Sequence, residues 1–128
     1  MIRGTTASFK FNIPYAYSEL SAIQITFWQE GNNGTPEHSL PIVKGLASCT
    51  RGELQNEVCV KLNQEETLRF SDKLKAHVQL RGLLNDGSAF ASHEELITVY
   101  PICNDSIIGD WEEPEPVDDI VILDAGSI

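Results

Sequence analysis

The groups in this chain able to bind metal, move protons or attack an electrophile are few and widely spaced. The histidines are His38, His77 and His93. A metalloprotease helix needs two histidines one turn apart, and the nearest approach is His93-Glu94-Glu95 inside strand-like sequence. Cys49, Cys59 and Cys103 are an odd set with no Cys-x-x-Cys pair, which suggests reduced thiols and neither a zinc site nor a full disulfide framework. A cysteine nucleophile needs a base and an electropositive setting; Cys59 shares a polar face with Lys61, and Cys103 opens an acidic stretch. Asp105, Asp110, Glu112 and Glu113 lack the spacing of a calcium loop. Gly31-Asn32-Asn33-Gly34 lacks the lysine and following helix of a phosphate loop, and no Gly-x-Ser-x-Gly elbow occurs. Paired carboxylates for glycoside hydrolysis meet in space, so spacing leaves them open. Short loops leave little room for a cleft. The expectation is a non-enzymatic protein with no catalytic residue, metal or cofactor. Tyr15, Tyr17 and Trp28 border loops, and aromatic rings there suit a sugar, so the alternative is a carbohydrate-binding module; the tyrosines also read as a cap on the core.

The elements that position these groups are strands. One domain is expected from 128 residues, and 41% apolar residues supply a core without metal or disulfide staples. Phe9, Phe11 and Ile13 alternate with polar residues, as do Ile23, Ile25 and Phe27, giving two strands with one apolar face each. Residues 40–46 contain Pro41 and Gly45 and read as an edge strand. Residues 57–62 form a further strand through Val58, Val60 and Leu62. The alternation then breaks at 63–70, where Asn63 and Glu66 stand three apart as a capping box; one short helical turn is expected, with Leu68 plugging inward. Leu74, Ala76, Val78 and Leu80 alternate with Lys73, Lys75, His77, Gln79 and Arg81, which predicts a strand with a wet, cationic outer face. Asn85-Asp86-Gly87-Ser88 is a hairpin turn joining residues 74–84 to 89–100. Strands at roughly ten-residue intervals predict an all-β, antiparallel, immunoglobulin-like β-sandwich over residues 1–103.

Charge is distributed unevenly. All nine Lys and Arg residues lie in 1–81 beside eight acids, whereas 82–128 carries eleven acids and no Lys or Arg, for a net charge of −10. Such a molecule repels phosphate backbones, so nucleic acid is excluded as a partner. The start lacks the apolar run of a signal peptide, and no stretch reaches the ~18 apolar residues of a membrane span. Synthesis in a cytoplasm and no membrane partner are expected. Residues 104–128 read as an acidic, proline-spaced linker, Glu112 to Asp119, and a C-terminal strand, Ile120-Val121-Ile122-Leu123. That run needs cover, either on the home sheet or on the sheet edge of a neighbour. In the second case Ile120, Val121, Ile122 and Leu123 form an interface, with the linker passing Lys73, Lys75 and Arg81, and a homo-oligomer follows.

Several segments resemble a known class of proteins. They are Phe11 to Tyr17, Ile23-Gln24-Ile25-Thr26-Phe27-Trp28-Gln29, the run from Leu62 through Asn63-Gln64-Glu65-Glu66-Thr67-Leu68, Lys75 to Arg81, Asn85-Asp86-Gly87 and Ala91-Ser92. Over residues 7–102 the pattern looks like small proteins of tailed bacteriophages and prophages of Gram-positive bacteria, similar to the amino-terminal module of upper baseplate proteins. The resemblance implies an immunoglobulin-like structural component of the virion, assembled in the bacterial host cytoplasm and partnered by itself or by other virion proteins. It brings no catalytic residues with it.

Overall fold

The computed structural model describes residues 1–30 and 40–109. Eight strands form two antiparallel sheets: β1 (Ala7–Asn12), β2 (Leu20–Trp28), β3 (Ile42–Gly45), β4 (Cys49–Arg51), β5 (Glu57–Leu62), β6 (Ala76–Leu84), β7 (Ala89–Ala91) and β8 (Glu95–Ile97). One sheet has the order β1-β5-β4; the other runs β3-β2-β6-β7, with β8 also paired to β6. The predicted alternations define the inward rows. Ile23, Ile25 and Phe27 of β2 and Ala76, Val78, Leu80 and Leu84 of β6 face Val58, Val60 and Leu62 of β5, all of them buried. Across this sandwich Phe9 meets Phe27 with ring centroids 5.0 Å apart. The all-β sandwich expected from the sequence is the fold, and β3 is an edge strand.

The break in alternation after β5 is the helix α1 (Gln64–Leu68). Asn63 Oδ1 accepts from the Glu66 N–H at 2.8 Å, and Glu66 Oε1 accepts from the Asn63 N–H at 3.0 Å, the reciprocal cap its sequence predicts. Leu68 is not the plug. It is half-buried, while Thr67 and Phe70 are completely buried. A helical turn points residues three apart to one side, and the 67/70 pair is the one that faces the core. Thr67 Oγ1 donates to Thr5 O at 2.9 Å, so its hydroxyl is satisfied where it is buried.

Two expectations about the second half change. The strand predicted to include Lys73, Leu74 and Lys75 begins only at Ala76. Buried Gln29 explains the delay: its Nε2 donates to Ser71 O at 2.8 Å and Leu74 O at 2.9 Å, and its Oε1 accepts from Ser71 N at 2.8 Å. These bonds hold 71–74 as a turn and leave Leu74 46% exposed. The return arm after the hairpin splits into β7 and β8. Arg81 pairs with Ala91, but Val78 pairs with Glu95, so Ser92, His93 and Glu94 face only Gln79 and Leu80. Ser92 Oγ accepts from the Leu80 N–H within this bulge. In the hairpin itself only Gly87 has positive φ, at 90°, and its N–H reaches Leu84 O, which makes a turn of the three-residue kind.

Glu66 also ties α1 to β3, because its Oε2 lies 2.7 Å from Lys44 Nζ. Burial pushes the Glu66 carboxyl up, but the Lys44 ammonium and the Asn63 N–H outweigh it and hold the group below the ordinary carboxylate value. Glu57 is held low by the Leu54 N–H and by Lys10, and Asp86 by Ser88. These carboxylates release protons more readily when folded, so their stabilisation is present above the unfolded pKa of about 4 and is lost as pH falls through the lower folded values. The thermal midpoint is therefore expected to drop on acidification below about pH 4, and Glu66→Gln to flatten that dependence, as read by thermal melts between pH 2 and 7. Phe70→Ala is expected to destabilise by about 3–5 kcal/mol in urea unfolding.

Candidate functional site

The expected cationic strip is not assembled. Lys73 lies in the turn before β6, Lys75 just ahead of that strand and Arg81 within it, all exposed. Six residue steps put Lys75 and Arg81 about 20 Å apart along an extended chain. The outer row of β6 is His77, Gln79, Arg81 and Leu83, in which Arg81 is the one fixed cation; its Nη1 donates to Gln24 Oε1 at 3.4 Å. Arg81 borders a shallow groove of about 210 Å³ with Gln24, Leu83 and Ala89.

The three aromatic residues proposed for sugar binding are not brought together either. Tyr15 and Tyr17 pack against the core, Tyr15 with its ring 4.9 Å from Phe90 and Tyr17 with its hydroxyl donating to Cys49 O at 3.3 Å. Trp28 is on the outer face of the opposite end of β2, roughly 17 Å of strand beyond the level at which Phe90 faces Gly82. A sugar platform needs coplanar or adjacent rings, and these rings lie on different faces.

Trp28 instead belongs to a cluster that local sequence patterns did not reveal. Its ring stacks on His77 with centroids 4.1 Å apart and planes at 17°. His77 Nδ1 donates to the Glu94 carboxylate, and Glu30 Oε1 lies 4.0 Å from Nε2. The register opposes Trp28 and His77 across β2 and β6, and the bulge turns Glu94 toward the ring. Among the described residues no group of three His, Cys, Asp or Glu is arranged to hold a metal. Cys49 is buried, and burial pushes its thiol up, with Cys59 adding to the rise and Lys44 opposing it, a setting that disfavours the thiolate. No described helix is long and apolar enough to cross a membrane.

The feature that does gather apolar surface is the flank between β1 and β8. A groove of about 410 Å³ opens there, lined in equal number by apolar residues, Phe9, Phe11 and Val78 among them, and polar ones, Lys10, Asn12 and Glu95 among them. Phe9 and Phe11 are only partly buried although their row points inward, whereas Leu96, 56% exposed, pairs with His77 and so shares the outer face of its sheet. β1 is the outer strand of its sheet on this side. On the opposite flank the chain itself crosses from β3 to β4 through a single 3-10 turn, Leu46–Ser48, which closes the sandwich.

Next to this flank, residues after Cys103 are anchored to the domain. Arg3 gathers them: Nε donates to Phe70 O at 2.5 Å, Nη2 to Leu68 O at 3.0 Å and Nη1 to Asp105 at 3.1 Å. Gln64 exchanges two bonds with Ile108, donating to its carbonyl at 3.1 Å and accepting from its N–H at 2.7 Å. Arg3 thus serves carbonyls that the C-terminus of α1 leaves without helical partners. The four remaining interface candidates, Ile120, Val121, Ile122 and Leu123, lie outside the described residues, as do His38, the loop 31–36 and the linker 112–119.

No protein-family model matches the chain, and no curated protein matches it. Arg3→Met keeps the aliphatic stem but orphans two partly buried carbonyls, so it is expected to lower stability by about 2–3 kcal/mol in chemical denaturation. Asp105→Asn removes only the exposed ion pair and is expected to lower it by under about 1 kcal/mol.

Proposed function

We propose that this chain is a non-enzymatic structural protein of a bacteriophage virion, of the tail or baseplate kind, that acts by binding copies of itself and other virion proteins. The reading places it in the virion, after assembly in the bacterial host cytoplasm. The observation that carries it is the open flank. A strand edge without a neighbour among the described residues, beside a partly exposed groove, is a surface suited to another protein chain. Small molecules are held in enclosed pockets, and the β1–β8 groove is an open trough beside a sheet edge.

The strand order supports the family reading. On this reading β1, β5 and β4 would correspond to the second, fifth and fourth strands of an immunoglobulin-like sandwich, and β3, β2, β6 and β7 to the sheet that faces them. Among the described residues the first strand of that plan has no counterpart beside β1. Residues 1–3 run instead along residues 98–100, where Met1 N donates to Thr98 O at 2.8 Å and Ile2 bridges Tyr100 in parallel. The acidic surplus of residues 82–128 fits a protein that selects basic or apolar protein surfaces and stays off nucleic acid.

Sedimentation velocity over a concentration series up to about 100 μM tests the reading, since contacts with a Kd below that value are then populated. A concentration-dependent oligomer is the expected result, together with recovery of the chain in purified virions by mass spectrometry. A monomer at every concentration that is also missing from virions overturns it.

A further inference from the structure

We propose that the outer face of the larger sheet, β3, β2, β6 and the return arm, packs on the same face of a second copy about a two-fold axis that runs across the strands level with Gln79. This rests on the assembly reading above and adds a surface which that reading does not use.

The outer faces of the two sheets differ in kind. On the smaller sheet the outward positions are polar, with Ser8, Lys10 and Asn12 on β1, Lys61 beside Cys59 on β5 and Thr50 on β4. That is the pattern of a sheet face turned to water. On the larger sheet the outward positions include Val43, Leu83 and Leu96, which are 50%, 40% and 56% exposed, together with the Trp28–His77 stack. Apolar side chains gathered on one sheet face mark a contact surface. Four strands spaced about 4.8 Å apart, with the longest about 30 Å, give a face about 19 Å wide, so two such faces bury on the order of 1,000 Å² together, the size from which a specific contact is sustained.

Charge and shape on this face argue for a second copy. The Arg81 guanidinium meets the neutral Gln24, so its charge is left uncompensated. Four positions earlier in the same row, about 13 Å away, Glu94 and Glu30 share the one imidazole of His77, so this cluster keeps a net negative charge even with the ring protonated. A uniformly basic partner would repel Arg81, and a uniformly acidic one would repel Glu94 and Glu30. A face with opposite charges at equal distances from its centre complements itself. An axis level with Gln79 reverses strand direction between the copies, which brings Arg81 of each over the His77–Glu94 pair of the other and makes the contact twice. Lys75, exposed ahead of β6, then lies level with Leu83 of the second copy and opposes no cation. The same rotation sets tall rows on low ones. Trp28 and Leu96 flank His77, whereas Gln24 and Ala91 flank Arg81, beside the groove of about 210 Å³ that Ala22 and Ala89 leave open. Val43 is level with Thr26 and Gln79, so it meets its own copy at the centre.

The test uses three full-length variants in sedimentation equilibrium. Arg81→Glu and Glu94→Arg each set like charges against each other at both contacts, and each alone is expected to weaken self-association at least about tenfold. Mixed together, they are expected to form a heterodimer of near-native strength, because every reversed charge then meets its opposite. Lys61→Glu, at an exposed position on the outer face of the other sheet, makes the same change in net charge as Arg81→Glu and is expected to associate like the native chain. Native-like association of Arg81→Glu or Glu94→Arg, a mixture that binds no more tightly than either variant alone, or equal weakening by Lys61→Glu overturns the proposal and leaves the assembly reading standing. A native chain that stays monomeric overturns the proposal as well, and overturns the assembly reading with it when the chain is also missing from virions.

Discussion

A sheet three strands wide cannot cover one four strands wide. β7 and β8 lie in line along β6, so the second sheet is β3, β2, β6 and the split return arm, set against β1, β5 and β4 alone. With strands about 4.8 Å apart, the mismatch is one strand's breadth. The crossing from β3 to β4 fixes one flank, and the whole shortfall therefore falls on the β1 side. Phe9 and Phe11 point inward and pack against the core, Phe9 on Phe27, yet stay partly exposed at this flank. The groove follows from strand count, with Ser92 and His93 of the bulge also lining it.

The corner at α1 fixes what surrounds that opening. Its cap is local, its burial of Thr67 and Phe70 is shared with the core, and its ends are bound by residues remote in sequence: Lys44 from β3, Arg3 from the N-terminal segment and Ile108 from beyond the last strand. A short helix gains little stability from its own hydrogen bonds. This one is held by its local Asn63–Glu66 cap and by Arg3, which donates to the Leu68 and Phe70 carbonyls. In return it gathers the beginning and end of the described domain at one place, where exposed bonds from Arg3 to Asp105 and between Gln64 and Ile108 hold residues 105–108.

Much of the fold was legible in the sequence where the signal was local. The span of β5, the Asn63–Glu66 cap and the Asp86-Gly87 turn are all determined by residues within a few positions of one another. What the sequence did not show depends on distant partners. Gln29 ends the expected run of Lys73 and Leu74 from more than forty residues away, and Arg3 reaches carbonyls sixty-five and sixty-seven residues on. The bulge at Ser92 is equally hidden, since a single extra residue changes no composition but reverses which side chains face out. For the same reason the aromatic and cationic candidates looked adjacent on paper and stand apart in space, while Trp28, His77 and Glu94 came together unannounced.

The charge pattern constrains how copies of such a molecule can meet. Residues 110–128 hold seven acids and no Lys or Arg, so two tails repel each other, and contacts that pair tail with tail are disfavoured at any salt low enough to leave charges unscreened. Residues 1–81, by contrast, are nearly balanced. Electrostatics therefore favours contacts of the acidic residues with the body, where all nine Lys and Arg lie, over contacts between two acidic stretches.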